Sequence, residues 1–409
     1  MSPVSATVVR AGAHPAIVPQ LVVSGAPLSL DDERELGTFE PSDTPDLIGE
    51  IADAGLRGRG GAGFPTARKL AAVRDAPGPR VIVANGGEGE PSSNKDRWLM
   101  AHRPHLIIDG VLRAAAAIGA GRAVIYVAES GSERSLKAAL AVTDHVPGKL
   151  AVNVHVAPSR YVSGEESAVC RSINGGPALP TDKPPRPCQR GVDDLPTAVV
   201  NVETLAHASV IARIGAVAYR CHGTARSPGT TLVTLNGSCR TPGVYEVPFG
   251  LSLRDMFESV GGGFTATPTA FLVGGWFGGL LDAEGVDTTC SHEAMATLGT
   301  GVGCAAFTAI GADEDVPAMV AEIGDWFARE SAQQCGVCVK GTAAIAEELA
   351  RLARGEGDAE TIGKLTRWGR SLRGRGACAL LDGAATLART VVVRPSSAMS
   401  TPPTEETRP

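Results

Sequence analysis

Strand and helix patterns take turns along the middle of this chain, and that alternation limits the fold more than any other feature. Val81-Ile82-Val83-Ala84, Ala123 to Ala128 and Leu150 to Val156 are short strand-like runs, and the last two flank a helical stretch from Glu133 to Val142. The succession predicts an α/β fold with a mostly parallel sheet. Folds of that kind place ligands in the loops at the carboxyl ends of their strands. The first such loop here is Asn85-Gly86-Gly87-Glu88-Gly89-Glu90-Pro91.

Upstream lies Leu56-Arg57-Gly58-Arg59-Gly60-Gly61-Ala62-Gly63-Phe64-Pro65-Thr66, opening into the helix-like Ala67 to Val73. Glycines let backbone N–H groups approach a phosphate, and a helix start adds positive dipole. Gly58, Gly60 and Gly63 spell G-x-G-x-x-G, but an ordinary dinucleotide fingerprint follows a strand, whereas residues 51–55 read as a helix ending in Gly55. A plain tight turn is the competing reading. From Thr230 the texture changes to short strands around Asn236-Gly237, a helix from Leu253 to Ser259 and a strand at Ala270 to Val273, an order that suggests a small β-grasp-like domain. Residues 314–392 are almost wholly helical, with apolar spacing in Ile345-Leu349-Leu352 and Ile362-Leu365-Trp368-Leu372, and predict a closing helical bundle.

Within that helical stretch, Cys335-Gly336-Val337-Cys338 is followed forty residues later by Cys378. A tight C-x-x-C plus a distant cysteine lets two segments clamp one iron-sulfur cluster. The same pair also fits a zinc half-site or a thioredoxin-like redox motif. Zinc would want a further ligand close by, and the nearest histidine, His292, lies in another segment; a thioredoxin motif would follow a strand. Nine cysteines at irregular spacing suit a reducing compartment, and a cytoplasmic location is expected. The net charge of −6 supplies no basic face for nucleic acid. No run approaches the roughly 20 apolar residues that cross a bilayer, so no membrane insertion is expected.

Taken in order, these pieces resemble the flavin-bearing NADH-oxidising subunit of respiratory complex I (the 51-kDa subunit family) and its relatives in soluble hydrogenases and formate dehydrogenases. The carrying residues run from about 45 to 390: Arg57 to Thr66, Asn85 to Pro91 with Lys95-Asp96-Arg97, Gly164-Glu165-Glu166, Lys183-Pro184-Pro185, Asn201-Val202-Glu203-Thr204, and Glu330-Ser331 through Gly341. The resemblance implies a Rossmann-like domain that binds FMN through Gly58, Gly60, Lys69, Asn85, Glu165, Asn201 and Thr204. NAD(P)H would meet Phe64, Glu90, Glu166 and Lys183. Cys335, Cys338 and Cys378 would hold a 4Fe-4S or 3Fe-4S cluster. No side chain need act as acid or base, because hydride goes to the flavin and single electrons leave through the cluster. A ferredoxin or thioredoxin-like iron-sulfur subunit is the implied partner, making the assembly a hetero-oligomer. Alternative readings are a ferredoxin-linked carrier that does not bind nicotinamide, and a non-catalytic assembly subunit. The expected segments are an extended leader (1–44), an FMN/NAD(P)H-binding α/β domain (45–225), a β-grasp-like, ubiquitin-like domain (226–310), a helical iron-sulfur domain (311–395) and a disordered tail (396–409).

The chain also departs from the family pattern. Gly87 replaces the aspartate of the N-G-D-E-G-E-P loop, and Val200 replaces the first of two asparagines. Ala72 and Arg186 stand where relatives place aromatics that sandwich the adenine. In an ungapped match the cluster motif E-S-C-x-x-C-x-x-C has Ala332 at its first cysteine, which leaves water, Ser331, Gln333, Gln334 or a partner's group for a fourth iron; a two-residue insertion would instead make Cys335 and Cys338 the first two ligands and leave the third absent at Gly341. Arg186 raises the expectation that a 2′-phosphate, and hence NADPH, is accepted.

Overall fold

The computed structural model describes residues 10–41, 46–143 and 150–393. The expected tail and residues 1–9 of the expected leader lie outside them. Ten strands among the described residues form two sheets: β1 (Arg10–Ala13), β2 (Val81–Gly86), β3 (Arg122–Val127), β4 (Ala151–Val156), β5 (Thr197–Asn201), β6 (Thr230–Gly237), β7 (Gly243–Pro248), β8 (Pro268–Val273), β9 (Leu280–Asp282) and β10 (Ala306–Gly311).

The first sheet has the order β4-β3-β2-β5 and is parallel throughout. Val81, Ile82, Val83 and Ala84 are all fully buried, as an apolar strand covered on both faces must be. Ile82 and Ala84 join one apolar cluster with helices Pro104–Ile118 and Val202–Tyr219, while Val81 and Val83 join another with helix Glu166–Ile173. The chain leaves β2 toward β3 on one side, whereas β5 arrives on the other. That reversal of direction opens a crevice beyond the carboxyl ends of β2 and β5, the place where such sheets hold ligands.

The second sheet runs β1-β7-β6-β10-β8-β9. β6 and β7 form an antiparallel hairpin, helix Leu253–Ser259 follows, and β10 returns parallel to β6 and antiparallel to β8. This is the β-grasp arrangement expected for the region. Its first strand was not anticipated. The segment expected to be an extended leader contributes β1, which pairs parallel with β7, and a helix at Leu30–Glu35. The physical reason is a buried carboxylate: Glu246 accepts the backbone N–H groups of Gln20, Leu21 and Val22 at 2.9, 2.8 and 3.0 Å and so stitches the segment down.

Helices Val316–Arg329, Gly336–Ala353, Ala359–Ser371 and Leu380–Val393 close the fold. Ile323, Phe327, Ile345, Leu349, Leu365 and Leu381 fill their shared core with no exposure. None of the described helices is long and apolar enough to cross a membrane.

Candidate functional site

Asn85 and Asn201 are register partners at the carboxyl ends of β2 and β5, so the sheet itself brings these two predicted residues together. The glycine-rich segment folds over them, closed by Gly58 N–H donating to the Phe64 carbonyl at 2.9 Å. Gly60 passes so close that a Cβ there would lie 3.2 Å from Asn201 Cβ, so a side chain would press on Asn201. The segment then enters helix Thr66–Arg74, whose N-terminus has no side-chain cap. Thr66 Oγ1 is buried there with no hydrogen-bond partner. A glycine cradle, an uncapped helix start and an orphaned hydroxyl together fit a phosphate monoester such as that of FMN.

The remaining flavin candidates serve mainly as struts. Asn85 donates to the Gly164 carbonyl at 2.8 Å and accepts from Gly87 N–H at 3.1 Å. Asn201 caps helix Val202–Tyr219 by accepting from Glu203 and Thr204 N–H, and its amide donates to Asp96 at 2.7 Å. Thr204 Oγ1 accepts the Arg59 N–H at 2.8 Å, pinning the glycine loop to that helix. Glu165 caps helix Glu166–Ile173 and pairs with Lys183. Lys69 Nζ bridges Glu166 at 3.1 Å and the Val199 carbonyl at 3.0 Å.

Beneath this layer sits a buried ionic network. Lys95, 1% exposed, reaches Asp96 at 2.7 Å and Glu203 at 2.9 Å, with Arg59 3.9 Å from Glu203. Burial works against the Lys95 charge, but Asp96, Glu203 and Glu88 hold it protonated. Asp96 is pushed up to about 7 by burial, with Glu88 and Glu203 adding to the effect and Lys95 opposing it.

Three of the nucleotide candidates gather at the open side. Phe64 is 46% exposed with Arg68 5.6 Å over its ring, and Glu166 stands between Lys69, Lys183 and Arg186. Glu90 differs from expectation: it is 5% exposed and accepts from Ser92 Oγ at 2.9 Å and Trp276 N–H at 3.2 Å, because the tight loop turns its carboxyl inward under β10. Burial pushes Glu90 up to about 7. Gly87 also has a physical reason: a Cβ there would stand 3.1 Å from the Tyr126 ring and 3.2 Å from Asn85 Oδ1, space that the family's aspartate would need.

The three predicted cysteines share one apolar cluster. Cys335 occupies the N-cap position of helix Gly336–Ala353 without a side-chain cap hydrogen bond, and Cys338 is one turn in. Cys378 comes from the loop before helix Leu380–Val393; burial raises its thiol, and Cys338 and Cys335 are near enough to raise it further. Among the described residues no group of three or more Cys, His, Asp or Glu side chains is arranged to hold a single metal ion. Ala332 packs against the same apolar cluster as the three cysteines, and Ser331 Oγ donates to Cys338 Sγ at 3.8 Å. Gln334 is held away by Pro180 and Arg171, which removes it from the fourth-ligand candidates.

Sequence reasoning missed two residues beside Thr66. Tyr161 is half-buried between the regions: it stacks on Phe277 at 4.3 Å, its N–H donates to Glu330 at 2.9 Å, and desolvation, Glu90 and Cys378 all raise its phenol. His292 packs under Gly63 with its Nε2 unpartnered, and burial beside Arg59 lowers it to about 4, so it is neutral. Its distance in sequence from the glycine segment hid it; Thr66, at the helix start after Pro65, carried a visible signal.

Comparison with known proteins agrees with this geometry. Residues 51–210 match the Nuo51 FMN-binding domain and residues 318–394 the NADH-ubiquinone oxidoreductase-F iron-sulfur binding region. The NADH-quinone oxidoreductase F 2 subunit of Rhizobium meliloti is 33% identical over 368 residues, spanning 86% of each chain. The NADH-quinone oxidoreductase F subunit of Escherichia coli is 32% identical over 368 residues, 84% of this chain and 83% of that one. Among solved structures, a chain of the NAD+-reducing [NiFe]-hydrogenase in the H2-reduced state superposes with a TM-score of 0.80 at 31% identity, covering 86% of this chain. This chain spans 62% of the hydrogenase chain.

Proposed function

Because the chain belongs to the family of NADH-quinone oxidoreductase F subunits, we propose that the crevice at β2 and β5 takes FMN and that Phe64, Glu166 and Lys183 receive the nicotinamide nucleotide above it. The family's function is that of an NADH-oxidising flavoprotein that passes electrons onward through iron and sulfur, and this chain has both regions. Bound FMN would supply the exchange between a hydride pair and single electrons.

The protein's own residues bind, orient and insulate. The N-terminus of helix Thr66–Arg74 and Thr66 Oγ1 hold the phosphate, while the struts around Asn85 and Asn201 fix the walls. Phe64 offers an exposed ring for stacking. Lys69 and Lys183, each held by a carboxylate, present charge without collapsing into the crevice. Half-buried Tyr161 packs against the apolar cluster that holds the cysteines. Cys335, Cys338 and Cys378 would hold the cluster. We place the chain as one subunit of a hetero-oligomer with a ferredoxin or thioredoxin-like iron-sulfur partner; all nine cysteines are free, which supports a reducing, cytoplasmic setting.

The orphaned Thr66 hydroxyl behind the glycine cradle carries the reading. Titrating FMN into flavin-stripped protein should show Thr66→Val weakening FMN by about tenfold, the worth of one hydrogen bond to a charged group. Equal affinities would remove the phosphate site from this helix.

A further inference from the structure

A cavity of about 870 Å³ opens beside the crevice between helix Thr66–Arg74 and the loop that carries Lys183. Its apolar floor is Ala72, Ala76, Pro77, Leu195 and Pro196, and Lys183 and Arg186 form its rim. The fold thus brings together Ala72 and Arg186, two positions more than a hundred residues apart in sequence.

Charge decides what the rim can hold. Lys69, Lys183 and Arg186 face two carboxylates, Glu165 and Glu166, so one cation is in excess. Arg186 is the loosest of the three, 3.8 Å from Glu166 with its side chain 65% exposed. The acidic group on the cavity wall, Asp194, is already paired with Arg190 at 2.7 Å and does not oppose it. An exposed guanidinium held only loosely beside this pocket can match a phosphate by two parallel hydrogen bonds. Resting on the reading of a nicotinamide nucleotide at Phe64, we propose that Arg186 binds the 2′-phosphate of NADPH and makes this chain select NADPH over NADH.

The test uses the full chain with FMN bound. Anaerobic stopped-flow bleaching by NADPH and by NADH is measured for the wild type, Arg186→Gln and Arg186→Phe, and calorimetry compares 2′,5′-ADP with ADP. The wild type should show at least about a tenfold higher kcat/KM for NADPH, and both variants should lower the NADPH-to-NADH ratio by about tenfold or more, as expected for a lost charged hydrogen bond. The advantage of 2′,5′-ADP over ADP should disappear with Arg186. NADH used equally well or better, or a ratio unmoved by either variant, overturns the proposal. A flavin bleached by neither nucleotide defeats the hydride reading, while tight 2′,5′-ADP binding lost in Arg186→Gln would still uphold the phosphate site.

Discussion

The flavin crevice and the cysteine loop meet at Tyr161, and they tolerate change differently. Around the crevice each predicted side chain is held by at least one other: Asn201 by Asp96, Asn85 by Gly164, Lys69 by Glu166, Glu165 by Lys183. Walls fixed that many times over can take a substitution, as at Gly87, and keep their shape. The cysteine loop has three thiols and no such redundancy. There Ala332 stands where the resemblance expects a cysteine, so the proposed cluster would lack one corner of its thiol set. The difference teaches that a site built by a network drifts in specificity, while a site built by individual ligands drifts in composition.

Four experiments would break or sharpen that contrast. The largest effect is expected from Cys378→Ala, which should remove nearly all bound iron while leaving flavin bleaching by the nucleotide intact; iron content and absorption spectra check it, and iron retained at the wild-type level would mean that Cys378 is not a ligand. Lys95→Met leaves Asp96 and Glu203 buried without their cation and should cost about 3–5 kcal/mol, read as a large drop in Tm; a change under about 1 kcal/mol would show that the network is not what holds the crevice. Gly87→Asp restores the family's residue yet crowds Tyr126, and overpacking of about 1–3 kcal/mol should weaken FMN rather than strengthen it. Tighter FMN binding would make Gly87 a lost contact instead of a co-adapted one.

The smallest effect concerns pH. Glu90 has an ordinary value of 4.5 and is raised to about 7 in the fold by burial, so the folded state holds its proton more tightly than the unfolded one. Stability linked to this group is fully present below about pH 4.5 and is lost as pH rises toward and through about 7. Glu90→Gln should flatten the fall of Tm across that window, and superimposable profiles would count against the buried acid.

Much of this was legible in the sequence because local chemistry carried it. Strand and helix alternation gave the parallel sheet, Asn236-Gly237 marked the β6–β7 hairpin, and the glycine segment pointed at the helix start that it feeds. What stayed hidden depends on distant chain segments. β1 is four residues long and owes its place to Glu246, more than two hundred residues away. Glu90 reads like any exposed loop carboxylate until Trp276 is packed over it. His292 and the cavity between Ala72 and Arg186 exist only once the loops meet.

In the proposed route one chain takes electrons from a nicotinamide nucleotide at the crevice and delivers them past Tyr161 to the cysteines. An anaerobic titration of the purified protein with NADPH and then NADH follows flavin absorbance and the paramagnetic signal of the iron together. The flavin should bleach and the iron signal should then change, and flavin-stripped protein should show neither. Iron that stays unchanged beside a bleached flavin, or a bound flavin that no nucleotide bleaches, would contradict the route.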